Sequence, residues 1–422
     1  MRITGANKTF DVDVNLVGSK SESNRVLMIG YYGGFKPRVK NLSTSDDTKL
    51  LKVILDQLSY PSYPSYPSYP SYPYYPKEID CANAGTVLRF LATALSFRPG
   101  ECVLTGSDRM LQRPVGDLVD ALRMMGADIE YAGNEGFPPL KIHGKNIVKT
   151  FPETSPIHVN ITRSSQFASS ILLAMPIVET RHGTSLHLDG DLSSLPYIDM
   201  TIDVMRRFGV DVHRDGRDIF VQPSDYQDVE YTVESDWTCA SYWYEIVAFS
   251  ENGRARLRNL RLDSKQGDAV VAKWFEDFGV TTIQDGNDVI IEKNNSIIKK
   301  QLSFDFINNP DLYPTIAATC AGLGVEGRFT GLRNLVHKES DRVAAMVSEL
   351  SKVGTDRICP QNGECPPVFD SHKDHRIAMA LAPLAMKIGA IEINNAEVVS
   401  KSYPGFWEEI NPILMSKHPQ CE

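Results

Sequence analysis

The sequence predicts a globular α/β protein of two or three domains, and three observations lead to this class. The chain has 422 residues, which at about 150 residues per domain is enough for two or three large cores. Hydrophobic residues make up 42% and charged residues 23% of the chain, as in average globular proteins and unlike disordered chains or membrane bundles. In addition, an amphipathic helix that ends at glycine and leads into β-branched residues recurs along the chain.

This helix–glycine–strand pattern appears at Leu118–Ala127, Ile202–Val210, Val271–Val280 and Met346–Gly354. Apolar residues follow helical spacing, and each glycine stands where a left-handed helix C-cap is usual. The copies lie about 70 to 85 residues apart, too far for a solenoid and suited to a repeated α/β subdomain. The pattern is also common in α/β proteins without repeats, so the pattern alone leaves both interpretations open.

Charge, hydropathy and cysteine usage exclude several classes of function. With 44 Lys plus Arg against 53 Asp plus Glu, the net charge of -9 disfavours a nucleic-acid partner. No apolar run reaches the roughly 18 to 20 residues of a membrane span, and no signal or transit peptide is visible, so we expect a cytoplasmic protein without a membrane partner. The seven cysteines include no Cys-x-x-Cys pair, so Cys359 and Cys365 are interpreted as reduced thiols and no metal site is predicted.

Residues Ser59–Pro76 form a tract that repeats the triplet Ser-Tyr-Pro. Proline at every third position removes backbone donors and forbids helix, so we expect a polyproline-II-like or disordered surface segment. We interpret the tract as a spacer. The alternative is a recognition peptide for a proline-binding partner, because tyrosine beside proline combines contact surface with stiffness.

Several predicted helices begin with clusters of polar and basic residues. Taken singly, each cluster is compatible with an ordinary helix cap. Taken together, they suggest that the helix starts converge on an anionic ligand, because helix N-termini, hydroxyls and basic side chains all favour anions. The segments are Gly18–Arg25, Cys81–Phe90, Arg163–Phe167, Asn308–Asp311, His337–Arg342 and His372–Arg376.

These segments belong to a longer series of stretches that resembles the 5-enolpyruvylshikimate-3-phosphate (EPSP) synthase family of enolpyruvyl transferases, in the family's order and along nearly the whole chain. The stretches are GSKSESNR at 18–25, NAGTVLRFL at 83–91, LTGSDRMLQRPVGDLVDAL at 104–122, SSQF at 164–167, LPYIDMTIDVMRRFGV at 195–210, ASYW at 240–243, QGD at 266–268, NPDLYPTIAA at 309–318, HKESDR at 337–342 and DHRIAMALAPLA at 374–385.

The resemblance implies a two-domain α/β fold with the substrates in the cleft. Each domain is expected to hold three βαβαββ-like units with inward-packed helices, an inside-out α/β barrel. Residues 19–233, with the Pro-rich insert 59–76, are expected to form the shikimate-3-phosphate-side domain. Residues 1–18 plus 234–422 form the second domain, which completes the phosphoenolpyruvate site. One unit is expected to be truncated at the Ser-Tyr-Pro tract.

The resemblance also implies the reaction of this family. The enolpyruvyl group of phosphoenolpyruvate passes to the 5-hydroxyl of shikimate 3-phosphate, and phosphate is released through a tetrahedral intermediate. This is a step of aromatic amino acid biosynthesis and the target of glyphosate. It implies no metal or organic cofactor, and we expect a monomer.

By matching motifs, the resemblance assigns roles to individual residues. Asp311, Glu339 and Lys20 are implied as the catalytic groups, and the sequence leaves open which carboxylate performs which proton transfer. The residues implied to bind shikimate 3-phosphate are Lys20, Ser21, Arg25, Ser164, Ser165, Gln166, Ser194, Tyr197, Asp311 and Lys338. The residues implied to bind phosphoenolpyruvate are Lys20, Asn83, Gly85, Arg113, Gln166, Arg342, His375, Arg376 and Lys401.

The sequence departs from the family's pattern in three places. Val17 stands where many relatives have proline, which affects loop stiffness more than chemistry. The loop Arg333–Lys338 is short, so the asparagine that some relatives place against the substrate has only Asn334 as its counterpart. The Ser-Tyr-Pro tract stands in place of strands and a turn.

The sequence leaves two alternatives to this function. The sister transferase that acts on UDP-N-acetylglucosamine typically has a reactive cysteine six residues before an Arg-Pro pair, where this chain has Ser107. A catalytically silent scaffold acting through the Ser-Tyr-Pro tract is the other alternative. It would not require Lys20, Asp311 and Glu339 to be present together.

Overall fold

The structure is a computed structural model that describes residues 1–4, 6–58, 76–145, 156–177, 184–294, 296–353 and 366–415. The Ser-Tyr-Pro tract, apart from Pro76, lies outside the described residues. So do Gly354, Cys359, Cys365 and Cys421. What the sequence predicts for these residues stays a prediction.

Strands and helices alternate along the described chain. The strands are β1 Arg2–Ile3, β2 Thr9–Val14, β3 Arg38–Lys40, β4 Glu78–Asp80, β5 Gly100–Thr105, β6 Asp128–Tyr131, β7 Leu140–Gly144, β8 Ile157–Asn160, β9 Thr184–Asp189, β10 Val212–Asp215, β11 Asp218–Val221, β12 Glu230–Thr232, β13 Asn252–Leu257, β14 Val280–Asp285, β15 Asp288–Lys293, β16 Gln301–Asp305, β17 Glu326–Thr330, β18 Val368–Asp370 and β19 Ile391–Asn394. The helices are α1 Lys20–Gly33, α2 Asp46–Leu58, α3 Gly85–Ser96, α4 Gly116–Met124, α5 Gln166–Ala174, α6 Leu195–Arg207, α7 Trp237–Phe249, α8 Val271–Trp274, α9 Tyr313–Leu323, α10 Arg342–Leu350, α11 His375–Leu381, α12 Ala385–Ile388 and α13 Phe406–Leu414.

The chain divides into two compact units. The terminal unit comprises Met1–Ser19, Thr44–Asp46 and Glu234–Glu422, and the middle unit comprises Lys20–Ser43 and Asp47–Val233. Each unit has its own hydrophobic core cluster. The assignment of one substrate to each unit stays a prediction.

Three sheets share one topology. The middle unit contains the sheets β4-β5-β7-β6 and β8-β9-β11-β10, and the terminal unit contains β2-β13-β15-β14. In each of them a parallel pair of strands is followed by two antiparallel pairings. In the two middle-unit sheets a helix joins the parallel strands and the last two strands form a hairpin, which gives the order βαβαββ. In the terminal unit the residues of the middle unit lie in the sequence between β2 and α7, and β13 and the hairpin β14–β15 then follow in the same order. The predicted repetition is therefore present in the structure.

The remaining sheets are smaller and are again built on parallel pairs. β3 pairs with β12 in the middle unit, and β16 pairs with β17 in the terminal unit. In the terminal unit β18 also pairs in parallel with β19, whose other edge binds β1 in antiparallel orientation. In the described ranges each unit thus shows three sheets, and the mixed α/β class is confirmed. The truncation predicted at the Ser-Tyr-Pro tract stays a prediction, because residues 59–75 are not described.

Glycine ends the predicted repeat helices as expected at three of the four copies. Gly126, Gly209 and Gly279 have φ angles of 89°, 87° and 77°, which glycine adopts without steric cost. The helix before Gly279 differs from the prediction. Instead of one continuous α-helix, the single α-turn α8 is followed by a 3₁₀ turn at Phe275–Phe278. Apolar residues three positions apart share a face in both forms, so the sequence pattern did not separate them.

Several helices are enclosed on all sides by protein. Every residue of α7 and α11 is buried, and so is α5 from Phe167 to Ala174. Helices that are apolar all round are stable only in such a position. Their polar first residues are therefore held rigidly by a packed core. Among the described residues, no helix combines the length and the apolar character that crossing a membrane requires.

Candidate active site

The predicted polar segments of the middle unit lie at helix N-termini. Lys20, Gly85 and Gln166 are the first residues of α1, α3 and α5, and Ser194 directly precedes α6. The unpaired N–H groups at such positions and the helix dipole favour anions. We call the polar residues around these four helix starts the middle cluster.

Arg25 fixes three helices of the middle cluster against each other. Its guanidinium donates to Thr201 Oγ1 at 2.7 Å, to Ser169 Oγ at 3.0 Å and to the carbonyl of Tyr197 at 2.9 Å. The side chain is buried, and burial lowers the pKa of Arg25 to about 10. Most of its N–H groups donate to acceptors in α1, α5 and α6. Its contact with shikimate 3-phosphate stays a prediction.

Gln166 connects the start of α5 to α3. Its Oε1 accepts from Arg89 Nη1 at 2.5 Å, and its Nε2 donates to Thr86 Oγ1 at 2.9 Å. The Arg89 guanidinium also lies 5.3 Å from the ring centroid of Phe167, a distance typical of cation–π contact. Arg89 adds a buried cation to the middle cluster that the residue assignments from sequence did not include.

Arg113 lies directly over the first residue of α3. A Cβ atom on Gly85 would stand 2.8 to 2.9 Å from the atoms of the guanidinium, closer than real Cβ contacts allow. Arg113 is 5% exposed, and its Nη1 donates to the carbonyl of Asn83 at 3.3 Å. A guanidinium beside an open helix N-terminus is suited to a phosphate or carboxylate.

Lys20 forms an ion pair with Asp47, with 3.1 Å between Nζ and Oδ2. Both side chains are largely buried, at 13% and 8% exposure. Asp47 lies in the first turn of α2, and the sequence assignments missed it. The ion pair holds the ammonium beside a largely buried counter-charge.

The remaining predicted residues of the middle unit are placed as caps and turns. Ser164 Oγ accepts from the backbone N–H of Gln166 at 3.3 Å, and Ser165 is buried next to it. Ser194 has a left-handed φ of 55°, and its carbonyl accepts from the backbone N–H of Tyr197 at 3.2 Å. Ser21 lies half-buried in the first turn of α1.

In the terminal unit, Arg342 is surrounded by three carboxylates. Its Nε donates to Asp374 Oδ2 at 2.8 Å, its Nη1 to Asp311 Oδ1 at 2.6 Å and its Nη2 to Glu339 Oε2 at 2.9 Å. Burial alone lowers the pKa of Arg342, but the charges of these carboxylates, Asp374 first, outweigh burial and raise it. The guanidinium therefore organises both predicted catalytic carboxylates.

Asp311 forms ion pairs with three cations of this group. Besides Arg342, Arg376 Nη2 donates to its Oδ2 at 3.0 Å, and Lys338 Nζ lies 3.4 Å from its Oδ1. Burial by itself raises the pKa of Asp311, yet the three cations, Arg376 foremost, hold it well below its usual range. Asp311 is therefore ionised at neutral pH.

Lys401 and His375 complete this group, which we call the terminal cluster. Lys401 Nζ lies 3.8 Å from Glu339 Oε1, and His375 Nδ1 lies 3.7 Å from Asp374 Oδ1. Asp374 also caps α11 by accepting the backbone N–H of Arg376 at 3.0 Å. Asp374 is part of the sequence motif at 374–385, but in the sequence it is recognisable only as a helix cap and not as a partner of Arg342.

Asp268, in the QGD stretch, lies next to the terminal cluster. It accepts from Thr238 Oγ1 at 2.5 Å and from Asn309 Nδ2 at 3.3 Å. Burial, reinforced by the charge of Asp311, raises the pKa of Asp268 to about 6. Because Asn309 lies two residues before Asp311, Asp268 helps to fix the turn that carries this carboxylate.

Both clusters are thus rich in cations, and in the terminal cluster these cations pair with the carboxylates of Asp311, Glu339 and Asp374. Within the described residues, neither cluster contains a group of three metal-ligating side chains. Their chemistry is that of anion binding combined with proton transfer by carboxylates and lysine.

Comparison with known proteins identifies the family. The family described as EPSP synthase (3-phosphoshikimate 1-carboxyvinyltransferase) matches residues 6–410. The chain belongs to the EPSP synthase family. A 3-phosphoshikimate 1-carboxyvinyltransferase of Bacteroides fragilis (strain YCH46) is 38% identical over 420 residues, covering 97% of this chain and 96% of that protein. The enzyme of the same name from Vibrio vulnificus (strain YJ016) is 34% identical, covering 96% of both chains.

Solved structures agree on the fold of this EPSP synthase family member. EPSP synthase from Acinetobacter baumannii matches with a TM-score of 0.70 at 23% identity, covering 99% of both chains. The enolpyruvyl transferase NikO from Streptomyces tendae matches with a TM-score of 0.68 at 14% identity, covering 98% of this chain and 96% of that one. At these identities the likeness concerns the fold.

The resemblance seen in the sequence is therefore confirmed, and with it the class of enzyme: a transferase that moves a carboxyvinyl group to 3-phosphoshikimate. The structure brings the predicted residues of each unit into one polar cluster. Their individual roles stay predictions. The residues that the sequence assignments missed are Asp47, Arg89, Asp268 and Asp374, all of them partners of assigned residues.

Proposed function

We propose that residues of the middle and terminal clusters together carry out the transfer of the enolpyruvyl group from phosphoenolpyruvate to the 5-hydroxyl of shikimate 3-phosphate. The observation that carries this proposal is Asp311, a buried carboxylate kept ionised by Arg376, Lys338 and Arg342. An acid in such surroundings is suited to accept a hydrogen bond or proton from a substrate hydroxyl.

For shikimate 3-phosphate we propose the helix starts of the middle cluster. Ser164, Ser165 and Gln166 offer hydroxyls, an amide and the N-terminus of α5 to the phosphate and ring hydroxyls. Lys20 adds a positive charge. Hydroxyl and amide groups at a helix N-terminus bind phosphate without needing a large net charge.

For phosphoenolpyruvate we propose the cations Arg113, Arg376 and Lys401, which lie beside or within helix ends. Arg113 lies over Gly85 in the middle unit. In the terminal unit Arg376 and Lys401 stand at the start of α11 and at the end of the 3₁₀ turn Ala396–Lys401. A phosphate and a carboxylate on one small molecule require several such donors.

The proton transfers follow from the charges. In the addition step the 5-oxygen forms a bond to C2 of the enol, the hydroxyl loses its proton and C3 gains one. In the elimination step C3 returns a proton and the C2–O bond to phosphate breaks. We assign Asp311 as the proton acceptor because it is ionised and accepts hydrogen bonds in the terminal cluster, and Glu339 or Lys20 as the donor to C3. Glu339→Gln should therefore lower kcat by about 10² to 10⁴-fold with little change in shikimate 3-phosphate affinity.

The test is a phosphate-release assay with phosphoenolpyruvate and two acceptors in parallel. We expect turnover with shikimate 3-phosphate and none with UDP-N-acetylglucosamine, the acceptor of the sister transferase. Turnover with the latter alone would overturn the proposed acceptor, and no turnover with either would favour a silent scaffold. The expected cytoplasmic location and monomeric state are tested separately by cell fractionation and light scattering.

A further inference from the structure

A group of imidazoles and carboxylates lies on the outward face of the sheet β8-β9-β11-β10. His158 on β8 is directly paired with His187 on β9, and Asp218 on β11 is paired with His187 on the other side. Asp189, two residues after His187, has the same facing. Their inward-facing neighbours, such as Leu186 and Leu188, are fully buried.

Three residues of this group place ligand atoms at the separations of a metal site. Asp189 Oδ2 lies 3.1 Å from His158 Nδ1, and Asp189 Oδ1 lies 3.7 Å from His187 Nε2. All three groups lie within 4.8 Å of one another. Tetrahedral zinc, with bonds of about 2.0 Å, places its ligand atoms about 3.3 Å apart, so small side-chain rotations suffice to bind an ion.

A fourth residue orients one of the imidazoles. His187 Nδ1 lies 2.6 Å from Asp218 Oδ1. This contact fixes the proton on Nδ1 and directs Nε2 toward Asp189, the arrangement in which a carboxylate supports a metal-binding histidine. In the part of the chain that the structure describes, neither carboxylate pairs with a lysine or arginine side chain.

We propose that His158, His187 and Asp189 form a binding site for one divalent transition metal ion such as Zn²⁺, with Asp218 as the positioning residue. Two neutral imidazoles and one carboxylate are ligands that zinc, nickel and copper prefer over magnesium or calcium. The ion joins two neighbouring strands, and solvent occupies the remaining coordination position. None of these four residues is assigned a role in the proposed reaction.

Isothermal titration of the EDTA-treated full-length protein with Zn²⁺ alone tests this site. The parent should bind one equivalent of Zn²⁺ more than His187→Gln. Zinc that binds to the cysteines or to the other histidines is the same in both proteins and cancels in this comparison. Asp218→Asn should weaken this equivalent by about 10 to 100-fold, the usual effect of losing a carboxylate behind a metal-binding histidine. His213→Gln is the matched control: His213 lies on β10 of the same sheet and stacks on Phe220, and its loss should leave zinc binding unchanged.

Thermal unfolding in EDTA shows that each variant is folded, and anomalous diffraction at the zinc edge locates the ion. Density at His158, His187 and Asp189 supports the proposal. Equal zinc binding by the parent and His187→Gln would overturn it, as would equal weakening by His213→Gln. Undiminished affinity in Asp218→Asn would overturn the positioning role of that carboxylate.

Discussion

Asp311→Asn separates the charge of this residue from its shape. The carboxylate accepts from Arg342 Nη1 at 2.6 Å and from Arg376 Nη2 at 3.0 Å. Asparagine keeps one acceptor oxygen but turns an N–H group toward one of the two guanidinium groups. Since a hydrogen bond to a charged group contributes about 1.5 to 3 kcal/mol, we expect the free energy of unfolding to fall by roughly that amount for the one bond lost.

The effect of Asp311→Asn on catalysis should be larger than its effect on stability. Loss of a positioned proton acceptor lowers kcat by about 10² to 10⁴-fold, which corresponds to roughly 3 to 5 kcal/mol of activation free energy. Affinity for shikimate 3-phosphate should stay similar or rise slightly, because a negative charge that repels the anionic ligand has been removed.

Two further variants control this experiment. Asp341→Asn removes an exposed charge at the start of α10 and keeps the helix cap, since asparagine and aspartate cap equally well. It should leave kcat and stability nearly unchanged. Asp374→Asn also removes a carboxylate that pairs with Arg342 but keeps the proposed proton acceptor Asp311. It therefore shows the effect of losing a counter-charge alone.

The assays are a titration of shikimate 3-phosphate, a single-turnover rate and urea unfolding for each variant. We expect Asp311→Asn to lose far more of the single-turnover rate than Asp374→Asn at a comparable loss of stability. If both lost rate in proportion to stability, Asp311 would be a structural counter-ion only. If Asp311→Asn turned over at the parental rate, its role as acceptor would have to be withdrawn.

Three other predictions follow from the structure. Because burial and Asp311 raise the pKa of Asp268 to about 6, its protonated form stabilises the fold by about 3 kcal/mol at a pH well below 4, and this contribution is lost as the pH rises through 6. The free energies of unfolding of the parent and Asp268→Asn should diverge by about 2 kcal/mol between pH 4 and pH 6, and parallel curves would contradict the prediction. A Cβ added by Gly85→Ala would lie 2.8 to 2.9 Å from the Arg113 guanidinium and should displace it. The KM for phosphoenolpyruvate should then rise with little change in shikimate 3-phosphate affinity. A KM equal to that of the parent would show that Arg113 does not bind this substrate. Excision of residues 62–73 should leave turnover within a few fold of the parental value, because a proline-rich spacer adds little to a hydrophobic core. Loss of folded protein, measured by circular dichroism, would show instead that the tyrosines of the tract pack against the rest of the protein.

Local signals in the sequence predicted the element starts well. Small and polar residues before an apolar run correctly marked the starts of α1, α3 and α5. The reason is that caps and left-handed glycines are properties of a few consecutive residues. Repetition, which the pattern alone left open, is visible in the identical strand order of three sheets.

Partners distant in sequence were not predictable in this way. Asp47 lies 27 residues from Lys20, and Arg89 lies 77 residues from Gln166. No local pattern marks either contact, because packing decides which polar side chains meet. The same holds for the charge state of Asp311, which depends on cations from 27 to 65 residues further along the chain.

The strand order of the terminal unit has a consequence for synthesis on the ribosome. β1 and β2 are made first, yet β2 pairs with β13 and β1 pairs with β19, close to the other end of the chain. At 5 to 20 residues per second, β1 waits on the order of 20 to 80 s for its partner strand. During that time the middle unit emerges complete. The nascent chain therefore carries two unpaired strand edges beside an already folded neighbour, and chaperones that bind exposed strands have their longest opportunity at its first residues.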